Sequence, residues 1–199
     1  IPRYRNISEP ADGYIRGYAY QGGTFRSTWS RGGTQAGVGT AFKARLREPG
    51  PWSMWLSGFG EMLPRADNRV TLGKGIDKFG VPIVHIDCTL GDNDRKMITQ
   101  INTDAKAMLE MAGCSEIVTF PGDRNIGLGV HEMGTARMGR DPATSVLNGF
   151  NQAHDVPNLF VTDGACMTSS GCQNPSLTYM AITARAAHHA VEFLRGGAL

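Results

Sequence analysis

Only two long stretches of this chain keep apolar residues at helical spacing, and glycine breaks up most of the rest. The first stretch covers residues 92–112. There Met97, Ile98, Ile101, Ala105, Met108, Leu109 and Met111 fall on one side of a helix. Asp92 or Asn93 is placed to cap its start, and Gly113 to end it. The second stretch covers residues 175–194, with Pro175 in the first turn, Asn174 as a natural N-cap and Gly196-Gly197 as the stop. With 26 glycines among 199 residues, the remainder is expected to form short strands, turns and loops. The fold class expected is therefore α+β.

Period-two alternation marks residues 14–20 and 54–62 as strands, the latter ended by Pro64. Residues 69–72 and 81–88 read as two more, joined by a turn with Asp77-Lys78-Phe79-Gly80 chemistry. Pro82 assigns the second of these to an edge or a strand start. Residues 117–120 read as a returning strand, 159–162 as a short buried strand, and 165–173 as the loop after it. Gly37-Val38-Gly39 begins like a dinucleotide fingerprint but meets Phe42 where a third glycine is wanted, so it reads as a loop or the start of a helix. From Gly122 to Asp155 the chain reads as loop-rich.

Composition excludes several classes. The net charge is +2 with mixed signs, so no basic stripe points to nucleic acid. No apolar run reaches the roughly 18 residues that a membrane span needs. The expectation is a soluble chain, cytoplasmic or periplasmic, with the compartment open. Cys88, Cys114, Cys166 and Cys172 lack Cys-x-x-Cys spacing and read as free buried thiols, with a Cys166–Cys172 bridge the alternative. His131-Glu132 has Thr135 where a zinc protease signature needs a second His, so no metal site is expected.

The chemistry-bearing strings lie in the last third. They are His131-Glu132-Met133-Gly134-Thr135-Ala136-Arg137-Met138-Gly139, then Asn158-Leu159-Phe160-Val161-Thr162-Asp163-Gly164-Ala165, then Gly171-Cys172-Gln173-Asn174-Pro175-Ser176-Leu177-Thr178-Tyr179. Taken alone, each has a plain structural reading. A single histidine is more often packed or surface-exposed than catalytic, Asp163-Gly164 is often only a turn, and Asn174 can simply cap a helix. Their order and wording resemble the C-terminal end of the glucose–methanol–choline family of flavin oxidoreductases, more like its sugar-oxidising branch with the pyranose 2-oxidases.

The resemblance implies a substrate domain, an antiparallel sheet with helices, over residues 1–125. An active-site loop region would follow over 126–157, and the returning strand, loop and helix of an FAD-binding Rossmann-like domain over 158–199. It also implies FAD in the complete protein, and a small alcohol or sugar as substrate. The electron acceptor stays open. The glycine fingerprint that seats the FAD pyrophosphate is absent from this sequence. The chain is therefore expected to be the C-terminal part of a protein roughly two to three times longer, partnered by an N-terminal flavin domain.

Oxidising an alcohol needs a base for the hydroxyl proton and an acceptor for hydride. The resemblance makes His131 the base and Asn174 the group that holds the substrate oxygen. It sets Asn174, Pro175, Ser176 and Leu177 at the flavin ring, where a helix N-terminus offers free N–H groups and partial positive charge. It sets Asp163, Gly164 and Ala165 beside the ribityl-phosphate. Two other readings remain: a non-redox lyase on the same scaffold, and a non-catalytic carbohydrate-binding fragment. Arg137 reads as a loop brace and Gln173 as a candidate substrate contact. His85, His154, His188 and His189 read as structural or surface residues. Trp29, Trp52 and Trp55 are either core or sugar-stacking rings, and Tyr18, Tyr20 and Gln21 are candidates for the substrate side.

Overall fold

A computed structural model describes residues 1–9, 13–120, 122 and 126–197. The fold is α+β: the described residues form two separate two-stranded antiparallel sheets, three α-helices and a long loop region. Residues 123–125 of the expected loop lie outside the described residues.

Strand β1 (Tyr18–Arg26) pairs with β2 (Trp52–Gly60), with Tyr18 opposite Gly60, Tyr20 opposite Gly58 and Gly23 opposite Trp55. The strand expected over residues 14–20 thus starts later and runs on through Gly22-Gly23. A short 3-10 helix (Trp29–Gly33) and α1 (Gly39–Arg47) fill the connection. The Gly37-Val38-Gly39 run is therefore the start of a helix.

Helix α2 (Asp92–Met111) crosses one face of this sheet. Its N-cap is Gly91 rather than Asp92 or Asn93. The Asp94 carboxylate, a turn further on, accepts the Gly91 N–H at 2.8 Å. Asn93 instead exchanges hydrogen bonds with the Ile15 backbone, at 2.8 and 3.2 Å. Glycine lets the helix approach: a Cβ on Gly60 would lie 2.7 Å from the Met97 methyl, and one on Gly58 would strike Ile101. Met97, Tyr14, Tyr18 and Tyr20 are the buried core here.

Asp104 is the polar centre of that core. Tyr4 and Tyr18 each donate a hydroxyl to it at 2.6 Å, Arg5 donates at 2.9 and 2.8 Å, and Gln100 at 2.8 Å. Burial alone would raise its carboxyl, but these donors outweigh burial and hold it well below the usual range. Burial, then the bond to Asp104, pushes Tyr18 far up.

Strands β3 (Arg69–Ile76) and β4 (Pro82–Asp87) form an isolated hairpin with a register shift between Leu72 and Ile76. Asp77 builds the turn, its side chain accepting the N–H groups of Phe79 and Val81 at 2.8 and 3.0 Å. Pro82 is the first residue of β4, as its missing N–H requires.

The second core is built from loops. Leu147, Ala153 and Cys166 are buried against Ala136, Met138, Val161, Met167 and Ile182 of α3 (Ser176–Arg195). Two expected strands do not form. Residues 117–120 have no ladder partner among the described residues. Residues 159–162 reduce to one bridge, Phe160 with Gln152. There Leu159 O accepts from Ala153 N–H and Val161 N–H donates to Asn151 O, so a loop takes the bonds a neighbouring strand would have taken. All four cysteines are free, Cys166 and Cys172 being buried.

Candidate active site

The segment from His131 to Gly139 is held in place by its own backbone. Gly134, Ala136 and Met138 donate N–H groups to the carbonyls of Gly164, Ala165 and Cys166 at 3.3, 3.0 and 2.9 Å. Two of the three sequence strings thus lie side by side. Gly134 can take part because its φ is 90°, a left-handed conformation open to glycine. Ahead of it, the Glu132 carboxylate accepts the Gly129 N–H at 2.7 Å and fixes the turn leading into His131.

Asp163 caps a short 3-10 turn, Gly164–Cys166, by accepting the Ala165 N–H at 2.9 Å. Gly164 is buried where no side chain fits. A Cβ there would lie 2.7 Å from Glu132 O and 2.9 Å from the Tyr179 hydroxyl. Tyr179, in the first turn of α3, also reaches Met133 Sδ at 3.6 Å. Through Tyr179 the third string joins the other two.

The helix starts one residue later than expected. Its N-cap position is taken by Pro175, with no side-chain cap bond, so Asn174 lies outside the helix and does not cap it. Pro175 is buried while Asn174, Ser176 and Leu177 are exposed. The N–H groups of Ser176, Leu177 and Thr178 therefore have no helical acceptor; the first to find one is Tyr179, which bonds Pro175 O at 3.0 Å. This end of α3 is a row of free donors with positive partial charge.

The His131 ring is half-buried, and its centroid is 6.3 Å from that of Phe59 on β2. Phe59 points away from α2, because its neighbours Gly58 and Gly60 face the helix. His131 accordingly stands over the sheet face that α2 leaves open. The loop leading to Asn174 is tied to the same end of β2: Ser169 donates to the Glu61 carboxylate at 2.6 Å, and Glu61 pairs with Arg16 at 3.2 Å. Among the described residues no hydrogen bond joins His131 to Asn174, and both keep their polar atoms free for another molecule.

Phe59, Ser169, Glu61 and Tyr179 carry no short-range signal of these roles, since each acts on a partner distant in the chain. Arg137 braces its loop by donating to Thr144 O. His85 pairs with Asp87, His154 with Ser145 and His188 with Glu192, while His189 stacks on Phe150. Among the described residues no three His, Cys, Asp or Glu side chains gather as metal ligands would, and no helix is long and apolar enough to cross a membrane.

Several known proteins are similar to parts of this chain. A paromamine 6'-oxidase of Streptomyces fradiae is 38% identical over 124 residues, covering 62% of this chain and 23% of the relative. A 2-methyl-1,2-propanediol dehydrogenase of Mycolicibacterium austroafricanum is 33% identical over 182 residues, 87% of this chain and 32% of the relative. A C-glycoside 3-oxidase of Microbacterium trichothecenolyticum is 30% identical over 128 residues, 63% of this chain and 24% of the relative. The chain thus spans about a quarter to a third of the length of these curated relatives. The family described as GMC oxidoreductase matches residues 64–183, which include the His131, Asp163 and Asn174 strings. This chain belongs to the GMC oxidoreductase family.

Proposed function

We propose that this chain supplies the substrate side and the proton-handling groups of an FAD-dependent oxidoreductase. In the full-length protein it would oxidise an alcohol, a secondary hydroxyl of a sugar or glycoside, to a carbonyl. Within this reading the earlier division stands: residues 1–125 serve the substrate, 126–157 carry the active-site loop, and 158–199 belong to the flavin side. The sugar-directed part follows the relatives whose printed names are paromamine 6'-oxidase and C-glycoside 3-oxidase.

One observation carries the reading. The His131 segment is bonded along the Gly164–Cys166 turn, pinned by Tyr179 to the uncapped start of α3, and turned so that its imidazole meets Phe59 on an open sheet face. A substrate on that face has a base above it and a row of unused N–H donors nearby.

GMC oxidoreductases are generally FAD-dependent, and the donor set here fits a flavin. Ser176 and Leu177 offer backbone N–H groups with no internal partner, beside the polar Asn174 side chain. The Asp163 carboxylate remains exposed beside the Gly164–Cys166 turn. A bound flavin would supply the hydride acceptor that no side chain can provide. His131 takes the hydroxyl proton as the general base. Asn174 donates to the substrate oxygen as negative charge grows there.

The test is an anaerobic flavin absorption spectrum of the full-length protein before and after adding glucose or a glucoside. The expected result is bleaching of the oxidised flavin band. Flavin that stays oxidised with every sugar and alcohol tried overturns the redox reading and favours the lyase alternative. Absence of flavin in the full-length protein overturns the cofactor assignment.

A further inference from the structure

The open face of the β1–β2 sheet is longer than a single sugar ring under His131 needs. Register places Ala19 with Phe59, Gln21 with Ser57, Gly23 with Trp55 and Phe25 with Ser53 on this face. At the Phe59 end stands His131, 6.3 Å away between ring centroids. Towards the other end lies the Trp55 indole, 48% exposed, with Phe25, 52% exposed, one pair further on. Gly23 across the ladder makes room for it, since a Cβ there would be 3.4 Å from the indole Nε1. Four residues of strand separate the two rings, about 13 Å of backbone. Between them sit Ser57 and Gln21, whose side chains have no hydrogen-bond partner among the described residues. The other two tryptophans are elsewhere: Trp52 faces the opposite side under the Arg26 guanidinium, at 5.6 Å, and Trp29 is in the 3-10 helix.

An aromatic ring at each end with free polar groups between them is the surface of a two-ring ligand. Aromatic faces bind the apolar faces of sugar or aryl rings, and free hydroxyl and amide groups bind the hydroxyls linking them. We propose that Trp55 is a specificity-determining residue that stacks on the second ring of a glycoside, while the ring to be oxidised lies on the sheet face beside the His131–Phe59 pair. This rests on the reading of His131 as the base. It makes glycosides, rather than free monosaccharides, the preferred substrate class.

The test uses the full-length protein carrying His131→Ala to stop turnover, with calorimetric binding of phenyl glucoside and of glucose. Trp55→Ala is expected to weaken phenyl glucoside about five- to tenfold and glucose less than about twofold. Trp55→Phe should retain most of the phenyl glucoside affinity. Trp55→Leu keeps apolar bulk without the ring, and is expected to behave like Trp55→Ala should the latter fold poorly. Equal loss for both ligands, or no loss for either, overturns the proposal. Turnover by the unaltered protein is followed in parallel. Failure of every sugar to reduce flavin would overturn the oxidation reading, while the ratio of the two affinities still decides Trp55.

Discussion

Beneath β1 and β2, a regular sheet and a regular helix close on one buried carboxylate. Beneath α3, by contrast, loop carbonyls and amides close on one another, and almost no ladder is involved. In the first region Asp104 gathers Tyr4, Arg5 and Tyr18 from the start of the chain and Gln100 from its own helix. In the second, Asn151 is fully buried in a left-handed conformation, donating to Val161 O at 2.9 Å and accepting from Arg185 at 3.1 Å. Gln152 beside it donates to Pro157 O at 2.7 Å and accepts from Asn148 at 3.0 Å. The first region is a scaffold that fixes the sheet. The second is a mould that sets His131, Gly164 and the start of α3 in register. Loops suit that task because their backbone groups can be aimed individually, whereas a ladder aims them all alike.

The widest separation between the two regions should appear in turnover. His131→Ala in the full-length protein is expected to lower kcat about 10²–10⁴-fold, the range for loss of a general base. The thermal midpoint should barely move, since the imidazole makes no hydrogen bond among the described residues. A large drop in stability with unchanged turnover of the folded fraction would make His131 structural and merge the two regions in kind.

Asp104→Ala should do the reverse. Removing the carboxylate leaves Arg5 and two tyrosine hydroxyls without their acceptor, a loss of about 3–5 kcal/mol for a buried ion pair broken on one side. Partial solvation of Arg5, whose side chain is 32% exposed, puts the expectation at the lower end. Denaturant unfolding measures it, and the turnover of protein that remains folded should be retained. An Asp104→Ala protein with normal stability and poor catalysis would overturn the scaffold assignment.

The same carboxylate gives a pH signature. Its folded pKa lies below its unfolded value, so its stabilisation is present in full above the unfolded value, about 3.9. It erodes as pH falls below that point, and is gone once pH passes through the lower folded value. Acid unfolding followed by near-UV circular dichroism should therefore steepen below about pH 4, and Asp104→Asn should flatten the curve. An unchanged acid limb in that variant would remove Asp104 from the account of acid stability.

What the sequence made legible follows the same division. Periodicity announced α2 and α3, and turn chemistry announced the bend at Asp77, because those signals are local. The strings at His131, Asp163 and Asn174 were legible as strings, and the structure lays them together through Gly164 and Tyr179. The packing of His131 on Phe59 was not legible, since nothing near either residue names the other. The strand expected at residues 159–162 failed because its apolar run says only that the segment is buried. Whether burial comes with a ladder depends on neighbours far along the chain, and here Asn151 and Ala153 took its bonds. Asn174 as a helix cap failed for a smaller reason: Pro175 occupies the cap position, so the asparagine side chain is one residue too far out to reach the first N–H groups.

The smallest effect tests whether the loop mould depends on side-chain chemistry or only on backbone shape. Asn151 combines both, a φ of 66° and two side-chain hydrogen bonds in a site with no exposure. Asn151→Ala keeps neither, while Asn151→Gly restores the left-handed conformation but not the bonds. Stranding Val161 O and Arg185 should cost about 1–3 kcal/mol in either variant, with alanine adding the conformational penalty. If glycine restores full stability, backbone shape alone sets the mould. If glycine and alanine fall together, the amide is what holds residues 159–162 against the loop, and the second region is, like the first, organised around one buried polar side chain.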